Sequence, residues 1–101
     1  MGTLLGASIG SDIGQNMDEL DKLKMQETAG FAFEKSPDHQ PVKWQNPNNG
    51  HSGATVPTKT YYTNSGTPCR EFETSVIIGG EKESAYGTAC RQPDGSWKIK
   101  Q

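Results

Sequence analysis

Cys69-Arg70-Glu71-Phe72-Glu73-Thr74-Ser75-Val76-Ile77-Ile78-Gly79-Gly80-Glu81-Lys82-Glu83-Ser84-Ala85-Tyr86-Gly87-Thr88-Ala89-Cys90 is the stretch that decides the fold. Two strand-like runs flank Gly79-Gly80, and adjacent glycines suit a two-residue hairpin loop because primed turns demand positive φ angles. Ile78 then faces Glu81. Pairing outward one residue at a time from each strand brings Cys69 opposite Cys90. That pair is of the non-hydrogen-bonded kind, in which Cα atoms approach to about 4.5 Å, within disulfide reach. Two cysteines alone could equally be free thiols or part of a metal site. The register favours the disulfide Cys69–Cys90, which would close a loop of about 20 residues and require an oxidising compartment.

The same register sorts the faces. Phe72, Thr74, Val76 and Ile78 share one side and meet Gly87, Ala85, Glu83 and Glu81, so Phe72 fills the space above a missing side chain. Turn signals at 47–50, 64–66 and 93–95 extend the pattern to five strand candidates, over 41–46, 54–63, 67–78, 81–92 and 96–100. A three-residue loop at Pro93-Asp94-Gly95 sets Trp97 against Arg91 and Ile99 against Ala89. A three-residue loop at Asn64-Ser65-Gly66 sets Val56 against Thr74 on the core face, Lys59 against Glu71, and Tyr61 against Cys69.

Upstream, the spacing predicts a helix over 17–35, with Asn16 as N-cap, Glu19 completing a capping box and Pro37 ending the pattern. Its apolar residues fall on two overlapping stripes. One holds Leu20, Leu23, Glu27 and Phe31, the other Met25, Ala29, Ala32 and Phe33. A sheet with one apolar face needs a cover, and the helix carrying Leu20, Leu23, Phe31 and Phe33 is the candidate. The expected architecture is α+β, one amino-terminal helix on a five-stranded antiparallel meander (40–101), within a single domain spanning 16–101. The opposite face, with Tyr61, Tyr86, Glu71, Glu73 and the disulfide, is then open to solvent or to a partner.

Residues 1–15 read differently. Gly2, Gly6, Gly10 and Gly14 recur every four residues among Leu4, Leu5, Ala7, Ile9 and Ile13. On a helix this spacing makes a groove without Cβ atoms, into which another helix packs backbone to backbone, as in membrane glycine zippers. Ser8, Ser11 and Asp12 interrupt a stretch about half the spanning length, so the segment is expected to be a disordered zipper remnant.

Composition narrows the function classes. With 10 Lys and Arg against 12 Asp and Glu, the chain has no cationic surplus with which to neutralise phosphates, and nucleic acid is not an expected partner. His39 and His51 lie in polar turn-rich stretches without metal-ligand spacing, and read as surface residues. No nucleophile motif is present, and Glu71, Glu73, Glu81 and Glu83 are accounted for by cross-strand pairing with basic residues. Neither catalysis nor a cofactor is expected.

Several ordered motifs carry a resemblance. Cys69-Arg70-Glu71-Phe72, Val76-Ile77-Ile78-Gly79-Gly80 and Tyr86-Gly87-Thr88-Ala89-Cys90-Arg91-Gln92-Pro93-Asp94-Gly95-Ser96-Trp97 resemble the rickettsial 17 kDa surface-antigen family. Trp44-Gln45-Asn46-Pro47, Gly50, Gly53, Val56-Pro57, Thr60-Tyr61, the segment around Met17-Asp18-Glu19 and the zipper extend it upstream. The resemblance implies a bacterial outer-membrane lipoprotein at the cell surface or periplasmic face. In that family a lipid-modified cysteine and a fuller glycine-rich region lie ahead of such a domain, and Met1 is read as a trimmed start. The implied partners are the membrane, through lipid and zipper, and an unidentified envelope protein. The alternative is a periplasmic binding module or enzyme inhibitor, working through the Tyr61 and Tyr86 face or the loop around 48–53. The family's motifs carry no catalytic residues to transfer.

Overall fold

The computed structural model describes residues 16–100, so the zipper glycines Gly2, Gly6, Gly10 and Gly14 lie outside the described residues. Among the described residues, helix α1 (Glu19–Lys35) precedes five strands: β1 (Val42–Gln45), β2 (Ser52–Tyr62), β3 (Pro68–Ile78), β4 (Glu81–Arg91) and β5 (Trp97–Ile99). They form one antiparallel sheet in the order β1-β2-β3-β4-β5, the expected meander with the helix on one side.

The central hairpin has the register its turn dictates. Gly79 and Gly80 both hold positive φ, at 60° and 81°, as a primed two-residue loop requires. Ile78 faces Glu81, Phe72 faces Gly87 and Cys69 faces Cys90. The cysteines are disulfide-bonded, with Cα atoms 4.0 Å apart. A Cβ at Gly87 would sit 3.0 Å from Phe72 Cζ, so the glycine makes room for the ring. Ala89–Ile99 and Arg91–Trp97 also pair as expected.

The β2–β3 pairing departs from expectation halfway along. Lys59–Glu71 and Tyr61–Cys69 pair as read, but the register shifts between Pro57 and Lys59, so Thr74 faces Thr55 and Val56 faces Glu73. The cause is Pro57, which has no N–H to offer a ladder and is tolerated inside a sheet only at such a bulge. Its carbonyl accepts instead from the His39 N–H at 2.6 Å. The slip turns Val56 to the outer face and buries Thr55, whose hydroxyl bonds Thr74 Oγ1 at 3.0 Å.

The helix also begins and faces differently. Its N-cap is Asp18, two residues after Asn16, and the capping box is closed by Asp21 instead of Glu19. Met17, expected inside the helix, is in the core ahead of it. The buried stripe is Met25, Ala29, Ala32 and Phe33, together with Asp21 and Thr28. Leu23 and Phe31 of the other stripe face outward, 51% and 57% exposed. Phe33 lies at the centre of the core, its ring centroid 4.9 Å from that of Phe72 and 5.6 Å from that of Trp97. Trp44, Val76, Ala89 and Ile99 complete the cluster.

At the β1 end, Trp44 pairs with Gly53. A Cβ on Gly53 would meet both Ser75 O and Trp44 Nε1 at 2.5 Å. Backbone cannot yield as a side chain does, so Gly53→Ala is expected to cost about 1–3 kcal/mol, as overpacking of a filled core does. Gly30→Ala, where nothing lies within 4 Å, is expected to be neutral or stabilising, since alanine is the better helix former by about 1 kcal/mol. Chemical denaturation of the pair of variants checks the contrast.

Candidate functional site

All four residues singled out as an interaction surface share the sheet face opposite the helix. Glu73 is flanked by Val56 on β2 and Tyr86 on β4, while Glu71 lies between Lys59 and Thr88. Tyr61 stands beside the disulfide, across from Cys69. Tyr86 is 78% exposed and Tyr61 half-buried. The bulge adds Val56, and Ile77 projects farther along β3. At that end Lys43, Gln45, Ser52, Ala54, Ser75, Ile77 and Lys82 line a shallow groove of about 600 Å³. The face is thus a mixed plate of tyrosines, aliphatics, carboxylates and lysines, with Tyr86 the most exposed of its aromatic groups.

What makes this plate rigid is a set of clamps holding the helix on the other side, and none was legible as a motif. The first is at the helix start. Asp21, fully buried, accepts from Asn46 Nδ2 at 2.7 Å, from Asn49 Nδ2 at 3.2 Å and from the Asp18 N–H at 3.0 Å, and its Oδ2 lies 2.7 Å from His51 Nδ1. His51 is therefore a partner of the buried carboxylate and not a free surface residue. Burial pushes the Asp21 carboxyl up, but bonds from His51, Asn46, the Asp18 backbone and Asn49 together outweigh it and hold it below the ordinary carboxylate value.

Stability linked to Asp21 is therefore fully present above the unfolded carboxylate value of about 3.9 and is lost as pH falls through the lower folded value. Urea midpoints between neutral pH and pH 3 should fall less steeply for Asp21→Asn than for the parent chain. Parallel curves would show that Asp21 is not the titrating group.

The second clamp is at the helix end. Arg70, 8% exposed, rises from β3 and donates from Nη1 to Phe33 O at 2.8 Å and Ala32 O at 3.1 Å. Its Nη2 donates to Asp38 Oδ1 at 2.8 Å and its Nε to Thr60 Oγ1 at 2.9 Å. A guanidinium suits this place because it is planar, always charged and satisfies several acceptors at once, including carbonyls at the negative end of the helix dipole. Its bond, followed by that of Thr60, holds the Asp38 carboxyl below its ordinary value. The third clamp is Glu34, whose Oε1 accepts from Trp97 Nε1 at 2.9 Å and Arg91 Nε at 3.2 Å.

Chemically, these groups are spent on one another. Among the described residues, no group of three or more His, Cys, Asp or Glu side chains is placed to hold a metal ion, and no helix is long and apolar enough to cross a membrane.

Comparison with known proteins agrees with the motifs. The family model for the 17 kDa outer membrane surface antigen matches residues 32–98. The 17 kDa surface antigen of Rickettsia bellii is 47% identical over 89 residues, covering 88% of this chain and 56% of the relative. Those of Rickettsia conorii and Rickettsia rickettsii are 46% identical over 83 residues, covering 82% of this chain and 52% of each relative. The chain thus spans about half the length of the curated relatives it matches. No solved structure matches.

Proposed function

The chain belongs to the 17 kDa outer membrane surface antigen family, and we propose that it works as a non-enzymatic envelope domain that presents its bare sheet face to a partner. The observation that carries this reading is the division of labour between the two faces. Asp21, Arg70 and Glu34 on the helix side are consumed in clamps, whereas Tyr86, Ile77, Val56, Glu73 and Glu71 remain on the opposite face, which also carries the disulfide. Exposed tyrosines are enriched in protein interaction surfaces and among their hot spots. A disulfide fits an oxidising compartment such as the periplasm or cell exterior. Tethering would come from a lipid upstream and from the zipper at Gly2, Gly6, Gly10 and Gly14, leaving the plate free at the outer membrane.

Protease shaving of intact cells expressing the full-length protein tests its placement, with the domain followed by antibody and a periplasmic protein as control. Loss of the domain while the control survives would support exposure on the cell surface. Survival until the outer membrane is broken would overturn that placement and move the search for a partner to the periplasm.

A further inference from the structure

Among the described residues, the outward side of α1 carries exposed apolar side chains at Leu23 and Phe31. Helical periodicity puts Leu20, Leu23, Glu27 and Phe31 along one line facing away from the sheet. Leu23 and Phe31 are each more than half exposed, and Leu20 is half-buried. Beside Phe31, Gly30 carries no side chain and the space above it is open. Knob and dent are arranged symmetrically: Leu23 and Phe31 lie four residues either side of Glu27, about 6 Å along the axis in each direction.

We propose that two copies of this chain pair through α1, antiparallel about a twofold axis at Glu27, with Leu23 of each copy seated over Gly30 and against Phe31 of the other. In that arrangement the two exposed apolar side chains, Leu23 and Phe31, each meet the other from the partner, as an isologous contact requires. Glycine at the crossing lets the helices approach closely. Lys24, one turn before Glu27 on the same side, brings two ammonium groups next to the two Glu27 carboxylates, so the charges at the axis are balanced. A lipid surface would fit less well, because Glu27 sits in the middle of the stripe and would have to enter hydrocarbon with Leu23 and Phe31. A single helix pair buries less than the roughly 800 Å² per partner of a standard stable interface. The dimer is therefore weak in dilute solution and forms where copies are concentrated.

Sedimentation equilibrium of the full chain over a wide concentration range, combined with oxidative cross-linking of Glu27→Cys, tests the pairing. The expected result is a concentration-dependent dimer whose dissociation constant rises at least about tenfold in Leu23→Glu, corresponding to about 1.4 kcal/mol, with the thermal midpoint of the dilute monomer unchanged because Leu23 is exposed. Glu27→Cys should cross-link copy to copy, and Lys22→Cys, which lies around the helix from the stripe, should not. A monomer at every concentration, association that persists in Leu23→Glu, or equal cross-linking from both cysteines would overturn the proposal. Recruitment of the chain to phospholipid vesicles that depends on Leu23 and Phe31, without a dimer, would overturn it in favour of a membrane surface.

Discussion

Arg70→Met is expected to lower the free energy of unfolding by about 3 kcal/mol, the range found when a buried, charge-assisted hydrogen-bond donor is removed from its partners. Methionine keeps much of the stem's volume, so the loss reports the guanidinium and not a cavity. The Phe33 carbonyl, buried beneath the sheet, would be left without its 2.8 Å donor. Ala32 O would keep the Ser36 N–H at 3.0 Å. Asp38, at the surface end of the network, can rehydrate, so Asp38→Asn should cost much less. The ratio of the two effects distinguishes a helix clamp from a simple ion pair. Urea denaturation followed by tryptophan fluorescence reads both, because Trp97 and Trp44 lie in or against the core. Equal costs for the two variants would show that the energy resides in the ion pair and not in the helix carbonyls.

The second large effect is expected from the disulfide. Replacing Cys69 and Cys90 together by alanine opens a cross-link spanning 21 residues of sequence, for which chain-entropy reasoning gives about 3 kcal/mol. In a domain of this size that is a fall of roughly 12–24 °C in the thermal midpoint. The parent chain with reductant should melt at the same temperature as the double variant. A larger fall on reduction than on substitution would point to thiols trapped in a buried site, since Cys69 is fully buried. Total stabilities of small domains are about 5–15 kcal/mol, so the disulfide and the Arg70 clamp, at about 3 kcal/mol each, are a large share of what holds the domain folded. Cys69 and Arg70 are consecutive residues of β3, one reaching the outer face and the other the inner, so their costs are expected to couple and not simply to add.

These energetics bear on the proposed use of the bare face as a binding plate. Tyr61, Glu71, Glu73 and Tyr86 project from strands whose register is held by the Gly79-Gly80 turn at one end and the disulfide near the other. Side chains on such strands bind with little ordering cost, because the backbone beneath them is already held.

The amino-acid sequence by itself determined the central hairpin, the disulfide, the β4–β5 pairing and the α+β class. Each follows from local rules: a two-glycine turn admits one register, and register carries every later pair with it. The same logic failed at Pro57. A residue that cannot donate to the ladder forces a bulge, and the bulge moved Val56 out and Thr55 in. Which helix stripe faces the core was beyond local pattern, because both stripes carry apolar residues. The choice is made by polar contacts far apart in sequence: Asp21 with Asn46, 25 residues on, and Arg70 with Ala32, 38 residues back. Satisfying the buried Asp21 and Arg70 rotates Met25, Ala29, Ala32 and Phe33 inward and leaves Leu23 and Phe31 outside. A buried charge without partners costs more than an exposed leucine, so tertiary structure decided the facing of the helix, and with it which surfaces the domain offers to others.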